Sequence, residues 1–427
     1  MPDHSRRRFL QYAGLVASTA PYFIANRADA SPNDRVRHAV IGTGRQGRSH
    51  CRAFSQAGED CRVVAICDVD PAQRAKAVDS VPDLSKAAQY SDYRRILDDN
   101  SIDTVSVVTP DHWHAKVALE AILAGKHVYV EKPCCHNVLE GKFLARAAST
   151  YRKCVQHGTQ SRSGEGIIEA MRFLRDGNLG SVRLAKAINH QLRRPIGRAP
   201  ETQPPEGVNY DLWLGPAPTH VFTKNRWHYN WHWFWDYGTG DIGNDGIHQI
   251  DVARWGLGVD FPNAVSSSGG QLFYDDDHET PDTQVVTFEY AKCYLVFEMR
   301  LWTDYKLEGH DNGTIFYADK GKLEVGRQGC VVTFIDEEPK SIGGGSDKGA
   351  NIRNFLDSVK ANDPSKLNAP ISEGFASATL CHLGNIATRV GCKLYFDKNE
   401  FTFVEDSEAD KLLTREYRRG YALPSIG

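Results

Sequence analysis

The chain has 427 residues, of which 41% are hydrophobic and 25% charged, with a formal net charge of −3. That length exceeds one ordinary domain and suits two, and the composition is that of a soluble globular protein. The near-neutral balance excludes a global basic field for nucleic acid or an anionic membrane, and no run of about 18 uncharged apolar residues offers a membrane span.

Residues 1–30 read as an export signal. Ser5-Arg6-Arg7-Arg8-Phe9-Leu10 precedes a modestly apolar stretch from Tyr12 to Ile24, then Ala28-Asp29-Ala30. A basic start, a short apolar run and an A-x-A site are the features of a secretory signal, and arginines before Phe-Leu resemble the twin-arginine type. The expectation is a periplasmic or otherwise exported protein that meets the twin-arginine translocation machinery. Removing the segment takes away four arginines and two aspartates and leaves a net charge of −5. The ten cysteines show no C-x-x-C pairs and no His–Cys metal spacing. A protein folded in the cytosol before export keeps its thiols free, and each is read as a small buried hydrophobe.

From 31 to 156, short apolar runs alternate with helical periods. Residues 36–41, 62–67, 104–109 and 127–131 read as buried parallel strands. Between the last two, Trp113, Val117 and Ala121, with Ala118 and Ile122, recur on one helical face until Gly125 stops the helix. Such alternation predicts an α/β fold, a doubly wound parallel sheet of the Rossmann type. From 157 to 427 the texture changes to an α+β domain. Longer strands at 181–189, 264–273, 283–290 and 293–300, with Ala291-Lys292 as a hairpin link, are followed by strands at 314–319 and 331–335. They predict a large, mostly antiparallel open sheet. Residues 195–218 read as a long irregular loop, 341–348 as a Gly-rich one, and 351–360 and 371–390 as helices.

Gly42-Thr43-Gly44-Arg45-Gln46-Gly47 follows the first strand and opens a helix. A dinucleotide site needs glycine for the tight turn, for close approach of the pyrophosphate and for helix–strand packing. The helix N-terminus then offers free N–H donors to the phosphates. Asp68 ends the second strand, where a carboxylate accepts from the ribose hydroxyls and repels a 2′-phosphate, favouring NAD over NADP. Thr109, Pro110 and His114, then Glu131 and Lys132, stand at strand ends or helix starts, where open α/β sheets bind ligands.

The ordered set GTGRQG, CDVD, TPDHWH and AGKHVYVEKP closely resembles the glucose–fructose oxidoreductase, inositol dehydrogenase and rhizopine-catabolism (Gfo/Idh/MocA) family. The resemblance runs from about Val36 to the C-terminus, through Gly240 to Trp255 and His382 to Val390. Its second half is most like exported members, a branch that includes NAD-dependent glycosidases.

The EKP match implies a substrate-binding or proton-transfer role for Lys132, whose charge would favour a developing alkoxide. His248 is the candidate acid/base, on the ground that imidazole titrates near neutral pH. Many family dehydrogenases carry an Asp four residues before this His; here the position is Asn244, with Asp245 beside it. A neutral amide orients substrate but takes no proton, so Asp245 is the candidate for the missing carboxylate. Gln160 and Arg162, with His157 nearby, belong to a segment that the resemblance puts close to the cleft.

Four of the eight tryptophans fall between Arg226 and Asp236. His228, Tyr229, Trp231, His232 and Trp235 alternate rings with hydrogen-bonding groups, a pattern suited to carbohydrate, to a core ridge or to a subunit interface. His228 and His232 stand at metal-ligand spacing but lack a third ligand, so no metal is expected.

The expected function is NAD-dependent oxidation of a hydroxyl on a sugar, glycoside or cyclic polyol, with tightly bound NAD in a homo-dimer or homo-tetramer. One alternative is a redox glycosidase: oxidation at C3 acidifies the C2–H, elimination expels the C1 substituent, and hydration with hydride return completes cleavage. The other is a non-catalytic dinucleotide-binding protein.

Overall fold

The computed structural model describes residues 35–426, so the expected export signal lies outside the described residues. Six parallel strands form the first sheet: β1 (Val36–Ile41), β2 (Cys61–Cys67), β3 (Ala88–Tyr90), β4 (Thr104–Val107), β5 (His127–Val130) and β6 (Val155–His157), in the order β3-β2-β1-β4-β5-β6. The central strand buries both faces. Ala39 and Ile41 join the cluster that receives Trp113, Val117 and Ala118, whereas Val36 and Val40 join the cluster of Cys51 and Phe54. Helices therefore cover the sheet on both sides, as the continuous apolar strands require.

The second sheet has ten strands: β7 (Val182–His190), β8 (Ala264–Gly270), β9 (Thr283–Glu289), β10 (Tyr294–Arg300), β11 (Asn312–Ala318), β12 (Gly321–Gly326), β13 (Gly329–Phe334), β14 (Lys340–Gly343), β15 (Leu394–Asp397) and β16 (Thr402–Phe403). Only the β7–β10 pair is parallel; the other neighbours are antiparallel. Alternation sets the faces. Val286, Phe288, Leu295 and Phe297 point inward under the helices Ile247–Leu257 and Ile371–Val390, and Val285 and Tyr294 point outward.

Several expectations shift. The strand expected to reach residue 273 stops at Gly270, because the N–H groups of Leu272, Phe273 and Tyr274 turn onto the Asp282 carboxylate at 3.1, 2.8 and 2.9 Å. The Gly-rich segment expected to be loop begins as β14. Ala291-Lys292 is indeed the hairpin link, closed by Tyr290 N–H on the Cys293 carbonyl. All ten cysteines are free thiols, and only Cys392 is exposed. No described helix is long and apolar enough to cross a membrane.

The later chain also completes the first core. Phe355, on the helix Lys348–Lys360, packs edge-on against Phe54 and Tyr129, and the Tyr129 hydroxyl donates to Asn351 at 2.7 Å.

Candidate active site

At the carboxyl ends of β1 and β4, where the strand order reverses, a cleft of about 680 Å³ opens toward the second sheet. Its floor is the glycine loop. Gly42 has φ +91°, and a Cβ there would sit 2.4 Å from the Val108 carbonyl oxygen. A Cβ on Gly47 would lie 1.9 Å from the Gly42 oxygen, so Gly47 serves the packing of helix on turn. At Gly44 a Cβ would meet nothing within 4 Å: here the backbone is open to a ligand. No side chain caps the helix Arg45–Ser55 that starts at this point. Its first N–H groups are therefore available to an anion, which fits a dinucleotide pyrophosphate.

Asp68 is tied into the loop it faces. One carboxylate oxygen accepts from the Thr43 N–H at 2.7 Å and its hydroxyl at 3.2 Å, and the other from the Asp70 N–H at 3.0 Å. Burial raises its pKa, opposed by the Asp70 and Thr43 N–H groups. Arg45, Gln46, Thr109 and Pro110 also line the cleft. His114 lines it too, braced between the carbonyls of Thr109 and Pro133 at 2.7 and 2.6 Å.

Glu131 is buried and accepts from Gln46 and His50, each at 2.7 Å. Burial opposes its ionisation, but the His50 hydrogen bond, with Lys348 and Lys132 nearby, holds it well below the usual carboxylate range. Lys132 is half-buried and donates to the backbone carbonyl of Asn244, which joins the two domains across the cleft.

The opposite wall is a π-helical turn, Ile242–Gly246, leading into the helix Ile247–Leu257. Such turns are rare and concentrate at functional sites. Asn244 and His248 both face the cleft from it. The Asn244 amide donates to Asp241 at 2.8 Å. His248 departs from the sequence expectation: burial, then the Lys132 charge, push it down to about 4, so the imidazole is neutral at neutral pH. Its Nδ1 has no hydrogen-bond partner.

Asp245 is a further correction. It does not line the cleft but pairs with Arg193 at 3.3 Å, and burial and Asp241 raise it to about 6. Besides Asp68 and Glu131, the carboxyl that reaches the cleft is Asp111, the first residue of the helix Asp111–Leu123. It accepts from the Thr239 hydroxyl at 2.9 Å, and burial lifts it to about 7 against the pull of Lys132. Sequence reading assigned Asp111 no role, although it stands inside the TPDHWH motif; the available signal was an acid at a helix start following a strand.

The aromatic segment divides. His228, Tyr229 and Trp231 line the cleft, and His228, at φ +56°, pairs with Asp70 of the first domain at 3.1 Å. His232 is buried behind them, donates through Nδ1 to the Tyr229 carbonyl and does not line the cleft. Trp235 lies under the Arg389 guanidinium at 5.1 Å, outside the cleft. The two histidines do not converge, and among the described residues no three His, Cys, Asp or Glu side chains could hold a metal ion together.

Gln160 lines the cleft, but Arg162 does not. Its buried guanidinium grips Asp251 at 2.9–3.1 Å and Glu373 at 3.1 Å, so Arg162 is part of the scaffold. His157 is likewise buried, pushed down to about 3 by burial.

Residues 36–159 match the NAD-binding Rossmann fold of the Gfo/Idh/MocA oxidoreductase family, and residues 196–423 match that family's C-terminal alpha/beta domain. The chain belongs to that family. An inositol 2-dehydrogenase of Klebsiella pneumoniae is 26% identical over 274 residues, covering 61% of this chain and 66% of that protein. A glycosyl hydrolase family 109 protein of Shewanella pealeana is 28% identical over 215 residues, covering 44% of this chain and 47% of the relative. The chain thus spans less than two thirds of the length of these curated relatives. Aldose–aldose oxidoreductase from Caulobacter crescentus, solved with glycerol, superposes with a TM-score of 0.64 at 18% identity, covering 85% of this chain and all of that one. At that identity the likeness is one of fold.

Proposed function

We propose that this protein oxidises a hydroxyl group of a sugar, glycoside or cyclic polyol. The observation that carries this reading is convergence: Lys132 of the first domain and Asn244 and His248 of the second share one cleft with the glycine loop. Bound NAD supplies the hydride acceptor, and the chain supplies orientation and charge. Lys132 spends one N–H on the Asn244 carbonyl and keeps two for a substrate oxygen. Its positive charge favours the alkoxide form of that oxygen. His248, neutral and on the cleft wall, takes the hydroxyl proton. Gln160, Tyr229 and Trp231, which line the cleft, would hold the ring.

Asp68 adds negative charge at the ribose end and supports NAD over NADP. Tight retention is supported by the His228–Asp70 pair and by Gly207, which lies against Pro71, since both close the second domain over the adenosine side. Export by the twin-arginine route is supported by the arginine triplet and its apolar sequel. A homo-dimer or homo-tetramer is supported by the outward sheet face, where Val285, Tyr294 and Tyr395 are 42%, 48% and 56% exposed.

A second reading, glycoside cleavage, is favoured by Asp111 and by the family 109 relative. That reaction must also remove a C–H proton as the anomeric substituent leaves, so it needs a second base, and a carboxyl near 7 beside Lys132 qualifies. The test is purified protein, checked for bound NAD by absorbance and supplied with neutral sugars, cyclitols and glycosides. NADH accumulation supports oxidation, and aglycone release without net NADH supports cleavage. Neither product across the panel would sink both.

A further inference from the structure

Beside the cleft lies a second cavity of about 780 Å³, a volume suited to a small ligand. Its wall carries Arg193, Arg194, Arg198 and Lys224 and no aspartate or glutamate. The two spaces share Tyr229, whose hydroxyl accepts from Arg193 at 3.4 Å. Arg193 also binds Asp241 at 3.0 Å, and Asp241 holds the Asn244 amide of the cleft. One layer of side chains thus separates this annex from the proton-handling wall.

Glu201, between Pro200 and Thr202, is exposed and does not line the cavity, and five other nearby acids are already committed. Asp241 and Asp245 take Arg193, and Asp275 takes Arg198 at the surface. Asp276 accepts from the Ile196 N–H at 2.8 Å and pairs with His278. Asp277 accepts from the Ala199 N–H and the Asn225 amide, both at 2.9 Å, bracing the loop from behind. Arg194 and Lys224 have no carboxylate partner among the described residues. Two uncompensated cations on one concave wall attract an anion, and a guanidinium can grip its oxygens two at a time.

We propose that the annex binds an anionic substituent of the substrate, so that the preferred substrates are acidic sugars bearing a carboxylate, sulfate or phosphate. The proposal rests on the sugar-oxidation reading for the location of the reacting hydroxyl at Lys132 and His248. Binding energy gained at this remote charge helps to fix that hydroxyl in place.

The test compares methyl glucoside with methyl glucuronide, methyl glucoside 6-sulfate and methyl glucoside 6-phosphate, on the NAD-loaded wild type and on the Arg194→Ala/Lys224→Ala double variant. Wild type should favour at least one acidic probe in kcat/KM by about tenfold or more, and the double variant should lose about that factor, chiefly through KM. Whichever acidic probe leads identifies the anion. Equal turnover of neutral and acidic probes by wild type, or an unchanged ratio in the variant, overturns the proposal. Calorimetric binding of the same probes separates the two readings. An acidic probe that binds wild type and not the variant, yet never reacts, keeps the annex and sinks the oxidation; neither binding nor turnover of any acidic probe sinks the annex.

Discussion

On the side of the first sheet the cleft is walled by backbone: an open Gly44, uncapped helix N–H groups and an Asp68 carboxylate clasped by the turn beneath it. On the facing side the wall is built of polar groups in relay, reached by Lys132 from the first domain: from Lys132 to the Asn244 carbonyl, from the Asn244 amide to Asp241, and from Asp241 to Arg193. A backbone wall suits a ligand of fixed shape, because its donors keep their places whatever the side chains are. A relayed wall can be retuned by single substitutions, which makes it the place where substrate choice is set.

If that contrast is right, the largest effect comes from the scaffold behind the relayed wall. Arg162→Ala would leave Asp251 buried and unpaired and should cost about 3–5 kcal/mol in stability, read by denaturant unfolding. An intact protein with only a raised KM would return Arg162 to the substrate site. Lys132→Ala should lower kcat by about 10²–10⁴-fold while NAD affinity, measured by NADH fluorescence, holds. Equal losses in both would erase the division between the walls.

On the backbone side, Gly47→Ala forces a Cβ against the Gly42 oxygen and should cost about 1–3 kcal/mol, seen together in Tm and in NAD affinity. Full NAD affinity in that variant would show that the turn is less tightly specified than its contacts imply. The smallest effect on stability at neutral pH belongs to two imidazoles whose pKa is depressed. His248 is held at about 4 and His157 at about 3, below their ordinary 6.5. The stability they contribute is present in full above pH 6.5 and is lost as pH falls through 4 toward 3. Tm should therefore decline across that interval, and His248→Gln should soften the decline while lowering kcat at neutral pH, since it removes the proton acceptor.

The backbone wall was legible in the sequence because its parts are local: strand, glycine turn and helix lie within a few residues, and glycine spacing reports backbone geometry directly. The relayed wall was half legible. Lys132, Asn244 and His248 stood out by motif, but Asp245 pairs with Arg193 while Asp111 reaches the cleft, and neither follows from local spacing. Asp111, Asp241 and Arg193 come together only through tertiary pairing, which no local period encodes. The short strands β3 and β14 escaped notice for a similar reason, since their neighbours rather than their own residues make them strands.

One packing detail bears on how the molecule comes into being. Phe355 and Asn351 close the cluster around Phe54 and Tyr129, so the nucleotide-binding half keeps one flank bare until about five sixths of the chain has left the ribosome. Domains generally complete themselves in order of synthesis; this one waits for a helix from the far end. Mature packing of the first core, and with it a lasting grip on the nucleotide, thus arrives only after the strands β7 to β14 of the second sheet have been made.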